Sequence, residues 1–132
     1  LSAFAQSTPR GAPPVTYHRD VAPILERHCV SCHRPGEAAP FSLETFDDAR
    51  SRARLTAAVT ASRVMPPWQP DGPAGVFAGD RRLADADVRT LARWVEDGLL
   101  EGTAADRPRG PARTGGWQLG QPDLVVTMPQ PF

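Results

Sequence analysis

Cys29-Val30-Ser31-Cys32-His33 constrains this chain of 132 residues more than any other stretch. Two intervening residues set the thiols about one helical turn apart, and the histidine follows at once. That spacing suits thioether attachment of both sulfurs to the vinyl groups of a haem, with His33 ligating the iron. Three other chemistries use similar residues. A thioredoxin-like dithiol wants a strand-helix-strand context, and no alternating β-branched run precedes Cys29. A zinc site needs four ligands, and only His18 and His28 remain to complete one, all within a single short segment. A disulfide between Cys29 and Cys32 would close a very small, strained ring. Haem attachment is the leading reading, with zinc and dithiol chemistry as its alternatives.

Composition bears on how such a chain can build a core. Its 15 Pro and 11 Gly commit much of it to turns and extended connections, so a conventional core would be small. A covalently held porphyrin offsets that scarcity by becoming the centre of the core. Fifteen basic and 15 acidic residues leave no excess with which to grip nucleic acid. Every basic residue is Arg, and arginines near a haem are suited to pairing with its propionates.

Ala3-Phe4-Ala5 before Gln6 has the small-x-small pattern of a signal-peptidase site. Residues 1–16 are therefore expected to be an export-signal remnant or linker, residues 17–104 the folded domain, and residues 105–132 an extended tail. No apolar stretch is long enough to span a bilayer. Because bacterial CxxCH haem attachment takes place outside the cytoplasmic membrane, a periplasmic or other extracytoplasmic location is expected.

The spacing predicts an all-α domain. Asp20 is placed to cap a helix whose first turn tolerates Pro23, with Val21, Ile24, Leu25 and His28 at helical spacing. A second helix is predicted over residues 44–63, with Phe46, Ala49, Ala53, Leu55 and Val59 on its buried side and Arg50, Arg52 and Arg54 as a solvated stripe. A third starts at Ala84 or Asp85, carries Val88, Leu91, Ala92, Val95 and Leu99 as its apolar face, and ends at Gly98. Gln69 to Arg82 reads as a surface loop with Phe77 tucked inward, and Leu124-Val125-Val126 as a short strand.

Met65-Pro66-Pro67-Trp68 is the second chemical landmark. A thioether is a soft ligand able to fill the sixth position of haem iron, and the prolines fix the backbone beside it. Gap filling in the core is the alternative role for Met65. Trp68 is suited to packing on the ring or donating its indole N–H to a propionate, and equally to ordinary core packing.

The order of helix, CxxCH, helix, Met-Pro loop and helix resembles the class I cytochrome c fold over about residues 17–102. Asp20-Val21-Ala22-Pro23-Ile24-Leu25, His33-Arg34-Pro35-Gly36-Glu37, Ala39-Pro40-Phe41-Ser42-Leu43, Met65-Pro66-Pro67-Trp68 and Gly116-Trp117-Gln118-Leu119-Gly120-Gln121-Pro122-Asp123-Leu124 resemble a particular bacterial group. In that group a haem domain often precedes a module similar to the copper type II, ascorbate-dependent monooxygenases. The resemblance implies a small fold of three to four helices around one haem c, held by Cys29 and Cys32 with His33 and Met65 as axial ligands. It also implies that the carbonyl of Pro40 receives the imidazole N–H of His33, with Pro35 as a second candidate. No His-rich copper site is present in this chain, so an oxygenase activity is not carried over.

The expected function is electron transfer rather than enzymatic turnover, as a carrier or as the relay part of a larger oxidoreductase. Its partners would be a redox donor and acceptor, including a membrane-associated or copper-containing assembly. A haem enzyme or ligand sensor with an open sixth position is the alternative, and His18 in place of Met65 is a variant.

Overall fold

The computed structural model describes residues 11–110, 117 and 120–130. Ala3-Phe4-Ala5, Gly116 and Gln118-Leu119 lie outside them. Among the described residues the architecture is all-α, with three α-helices and no strand.

Helical winding begins earlier than Pro23 suggests. From extended Thr16 the chain enters a π-helical turn, Tyr17–Val21, that runs straight into α1, Ala22–His28. Asp20, expected as a cap, instead lies inside this turn and reaches back to accept the Thr16 N–H at 2.7 Å. The reason is tertiary. The N–H groups of Tyr17 and His18 are taken by the carbonyls of Leu100 and Glu101, at 2.8 and 3.0 Å, so the first turn is satisfied by the distant end of the domain. Pro23 still sits in the first turn of α1, where a missing N–H leaves no bond unmade.

Helix α2 spans Phe46–Ala61, slightly shorter at both ends than its predicted range. Thr45 is its N-cap and forms a reciprocal capping box with Asp48. Helix α3 spans Asp85–Glu96 from its N-cap Ala84. Both helices close with the same hydrogen-bond signature. After α3, Gly98 takes φ 89° and donates to Val95, while the Leu99 N–H reaches the Trp94 carbonyl at 3.0 Å. After α2 the equivalent left-handed position is Arg63, φ 61°, with Val64 N–H to Val59 at 2.9 Å.

The core gathers Tyr17, Val21 and Leu25 from the first helical stretch, Ala49 and Ala53 from α2, and Leu91 and Trp94 from α3. Trp94, outside the predicted apolar face, is only 2 % exposed and donates its indole N–H to Leu100 at 2.9 Å. Val88, Val95 and Leu99 pack at the margin of that core. Phe46 and Trp94 flank the Tyr17 ring with centroids at 5.4 and 5.9 Å. The small alanines let α2 approach α3, which gives the most extensive helix–helix contact.

Three expectations about side-chain placement are corrected. Leu55 is 48 % exposed, because its direction on α2 carries it away from the Ala49–Ala53 face. Phe77 is also exposed and meets Trp68 edge-on at 6.3 Å on the loop surface. Leu124, Val125 and Val126 are exposed and form no strand, since no second strand among the described residues takes their N–H groups. Arg50, Arg52 and Arg54 are solvated as expected, with Arg50 over the ring of Phe46 and Arg52 over that of Phe41.

After α3 the chain forms a short 3-10 turn, Ala104–Asp106, and Arg107 then pairs with Glu26 of α1. Among the described residues no helix is long and apolar enough to cross a membrane.

The capping box generates a pH dependence. Hydrogen bonding from Ser42 holds the Asp48 carboxyl below its ordinary range; burial opposes this, and Thr45 adds to the lowering. A depressed carboxyl contributes stability above its unfolded pKa of about 4, and that contribution is lost as pH falls through the folded value. Thermal melts should therefore show Asp48→Asn less stable than wild type at neutral pH, with the gap narrowing below about pH 4. Thr45→Ala should cost about 1 kcal/mol at neutral pH.

Candidate functional site

The end of α1 builds the first wall. Cys29 closes the helix, its N–H bonded to Leu25 at 2.8 Å, and its own carbonyl then receives the N–H groups of Cys32 and His33 at 3.0 and 2.9 Å. The motif is thereby wound into one tight turn, and no side-chain contact is needed to hold its spacing. The following loop is pinned at two places, by Ala39 N–H to Cys32 at 3.2 Å and by Leu43 N–H to His33 at 3.0 Å.

Those two bonds decide which carbonyl faces the imidazole. His33 Nδ1 lies 3.2 Å from the carbonyl oxygen of Phe41, and not against that of Pro40 or Pro35. The register between Ala39 and Leu43 turns the chain at Pro40 and presents the next peptide to the ring. The Phe41 ring packs on the same imidazole, centroid to centroid 4.7 Å. With Nδ1 donating to this carbonyl, Nε2 is left as the nitrogen able to ligate. Pro40 keeps a place in the wall of the site.

The second wall comes from the far end of α2. The left-handed turn at Arg63 reverses the chain so that Val64 and Met65 follow directly, and the Met65 N–H returns to the Val59 carbonyl at 3.1 Å. The Met65–Pro66 peptide is cis.

Between the walls lie two adjoining cavities of about 190 and 290 Å³. Cys29, His33, Pro40 and Met65 line both of them. The smaller adds mainly apolar side chains, Leu43, Leu55 and Val59 among them, with Thr56 and Thr60; the larger adds Cys32, Pro67 and Arg81. No carboxylate lines either one. Together they reach the size of ordinary ligand pockets, roughly 300–1,000 Å³. A third, more open cavity of about 610 Å³ lies beyond Met65 and is lined by Trp68, Arg63 and Arg82 among others.

This donor set fits a haem c. Two thiols, an imidazole and a thioether share a largely apolar space, and the Nε1 of Trp68, which lines the third cavity beyond Met65, is buried without a hydrogen-bond partner among the described residues. A propionate is the kind of acceptor such an N–H lacks. The alternatives fit less well. Among the described residues no group of three or more His, Cys, Asp or Glu could hold a metal ion. His18 turns its Nε2 to Glu101 at 3.4 Å, and His28 lies 3.9 Å from Asp87, so neither completes a zinc cluster. His28 borders the larger of the two cavities, and His18 lines neither. The chemistry of a reactive dithiol also runs the wrong way, because burial, with Cys32 nearby, pushes the Cys29 thiol up to about 11.

Cys29, Cys32, His33, Pro40 and Met65 thus line the two adjoining cavities, whereas Trp68 lines the third one, on the far side of Met65. Reading the sequence missed the Phe41 carbonyl, the cavity-facing role of Leu55 and Val64, and Arg81. Proximity to His33 and Met65 in sequence is the only signal that could have pointed to Phe41 and Val64. No family model, curated protein or solved structure matches the chain.

The buried thiol can be tested in haem-free protein. Alkylation of Cys29 by iodoacetamide should be slower than that of an unhindered cysteine at pH 7, and its rate should keep rising toward about pH 11. Mass spectrometry of the modified peptide checks this, and rapid alkylation at neutral pH would revive the dithiol reading.

Proposed function

We propose that this chain is a single-haem c-type cytochrome domain, related in fold to the class I cytochromes c, that transfers electrons. One observation carries the reading: Cys29 and His33, at the end of α1, share both cavities with Met65, delivered from the end of α2. A bound haem c would supply a one-electron ferric–ferrous couple. Cys29 and Cys32 would tether it, and His33 and Met65 would ligate its iron.

The residues around it have distinct tasks. Phe41 orients His33 through its carbonyl and its ring, which fixes the tautomer and leaves Nε2 for ligation. Leu43, Leu55, Val59 and Val64 exclude water and keep the local dielectric low. The Trp68 N–H, without a partner among the described residues, would be available to a propionate. Met ligation in an apolar setting favours a high potential, and two protein ligands on iron suit electron transfer better than substrate turnover.

A second reading has one observation in its favour. Met65 sits on a loop and also borders the third, more open cavity, so a weakly held sixth ligand there would make the chain a ligand sensor or haem enzyme. Export from the cytoplasm, a redox donor and acceptor, and membership of a larger membrane-associated or copper-containing assembly belong to the same proposal. They are supported by the chemistry of haem c attachment and by the sequence resemblance.

The test is the visible spectrum of protein produced with a haem-attachment system. A sharp low-spin reduced spectrum and a ferric sulfur-to-iron charge-transfer band are expected; a high-spin spectrum would favour the second reading. Cys29→Ser and Cys32→Ser should each weaken or abolish covalent attachment. Met65→Ala should retain the haem, bind carbon monoxide or cyanide readily, and lower the potential by a sizeable part of the roughly 0.8 V over which axial ligands tune haem iron. An unchanged ferric spectrum in Met65→Ala would remove Met65 from the coordination sphere.

A further inference from the structure

We propose that Arg63 is a positioning residue for Met65, clamping the ligand-bearing loop to the start of α3. The inference rests on the ligation proposed above and adds to it the device that would keep the ligand in place. Arg63 occupies the left-handed position after α2, φ 61°, where glycine is the usual choice. An arginine there carries backbone strain, which the surrounding contacts have to offset. Its guanidinium reaches across to the other side of the loop. Nη1 donates to the carbonyl of Leu83 at 2.7 Å and Nη2 to the carboxylate of Asp85, the first residue of α3. The backbone of the same residue ends α2, and the chain then leads through Val64 to Met65.

The loop between these two helices is rich in Pro and Gly. The Val64 and Met65 N–H groups are both bonded to the Val59 carbonyl, which ties them to α2, whereas no backbone bond links these residues to α3 among the described residues. Arg63 is therefore the side-chain cross-link that couples the Met65 turn to the start of α3. Loss of the clamp uncouples the Met65 segment from α3, leaving its bonds to Val59, without disturbing Cys29, Cys32 or His33, which belong to the opposite wall.

Arg63→Gly separates the clamp from the turn, because glycine adopts the left-handed conformation without strain. The haem-loaded variant should keep its covalent haem and bind cyanide about tenfold faster than wild type, the effect expected for losing a charge-assisted anchor on the ligand loop. Its ferric sulfur-to-iron band should weaken. Asp85→Asn, which keeps the bond to Leu83, should show a smaller acceleration, and Arg63→Lys should restore part of the wild-type rate. Arg93→Ala removes a surface pair with Asp97 away from the loop and should leave the cyanide rate unchanged even where the melting temperature shifts. Wild-type cyanide kinetics in Arg63→Gly, beside a wild-type protein that shows the sulfur-to-iron band, would overturn the role of Arg63 alone. Absence of that band from wild type would overturn Met65 ligation and the clamp with it.

Discussion

The carbonyl of Leu100 accepts two hydrogen bonds, from the Tyr17 backbone N–H and from the Trp94 indole. Much else depends on that junction. It satisfies the opening turn of the first helical stretch without a side-chain cap, and it anchors the largest core residue of α3. His18 to Glu101 and Val15 to Asp97 extend the seam on either side. The two ends of the domain are thus sewn together, and α2 is held against them through Tyr17, Phe46 and Trp94. A chain this rich in turns needs such a closure, because its loops contribute little packing of their own.

The closure also explains how the pocket is built. With the first helix fixed at its start, its end is free to unwind at Cys29 into the tight turn that carries Cys32 and His33. Helix α2 runs from the core toward the cavities, and its final left-handed turn hands Met65 to the side facing His33. Each wall is thus the termination of a helix, closed by backbone hydrogen bonds, with the Arg63 side chain adding a link to α3 at the second.

What was legible in the sequence was local. The thiol–imidazole spacing, the Met-Pro-Pro-Trp segment and the amphipathic run of α3 are short-range patterns, and each falls where its pattern implies. Fold class followed from the same periodicities. What escaped depended on distant partners. Asp20 looked like a cap because nothing nearby shows that Leu100 and Glu101 would satisfy the first turn. The carbonyl facing His33 is that of Phe41 rather than Pro40 or Pro35, because the choice turns on the loop register between Ala39 and Leu43. Trp94 lay off the counted stripe, yet a large aromatic reaches the core from a position where an aliphatic side chain would not. Arg63 gave no signal at all, since its left-handed backbone conformation is carried by no residue preference.

Helix α2 turns Ala49 and Ala53 toward the core and Leu55 and Val59 toward the cavity. Core and pocket therefore share a partition one helix thick. The width of the pocket is set from behind, by how closely two alanines let that partition settle on α3. A methyl group added on the hidden side would displace the visible one, so the pocket's dimensions can drift under substitutions that never touch its lining.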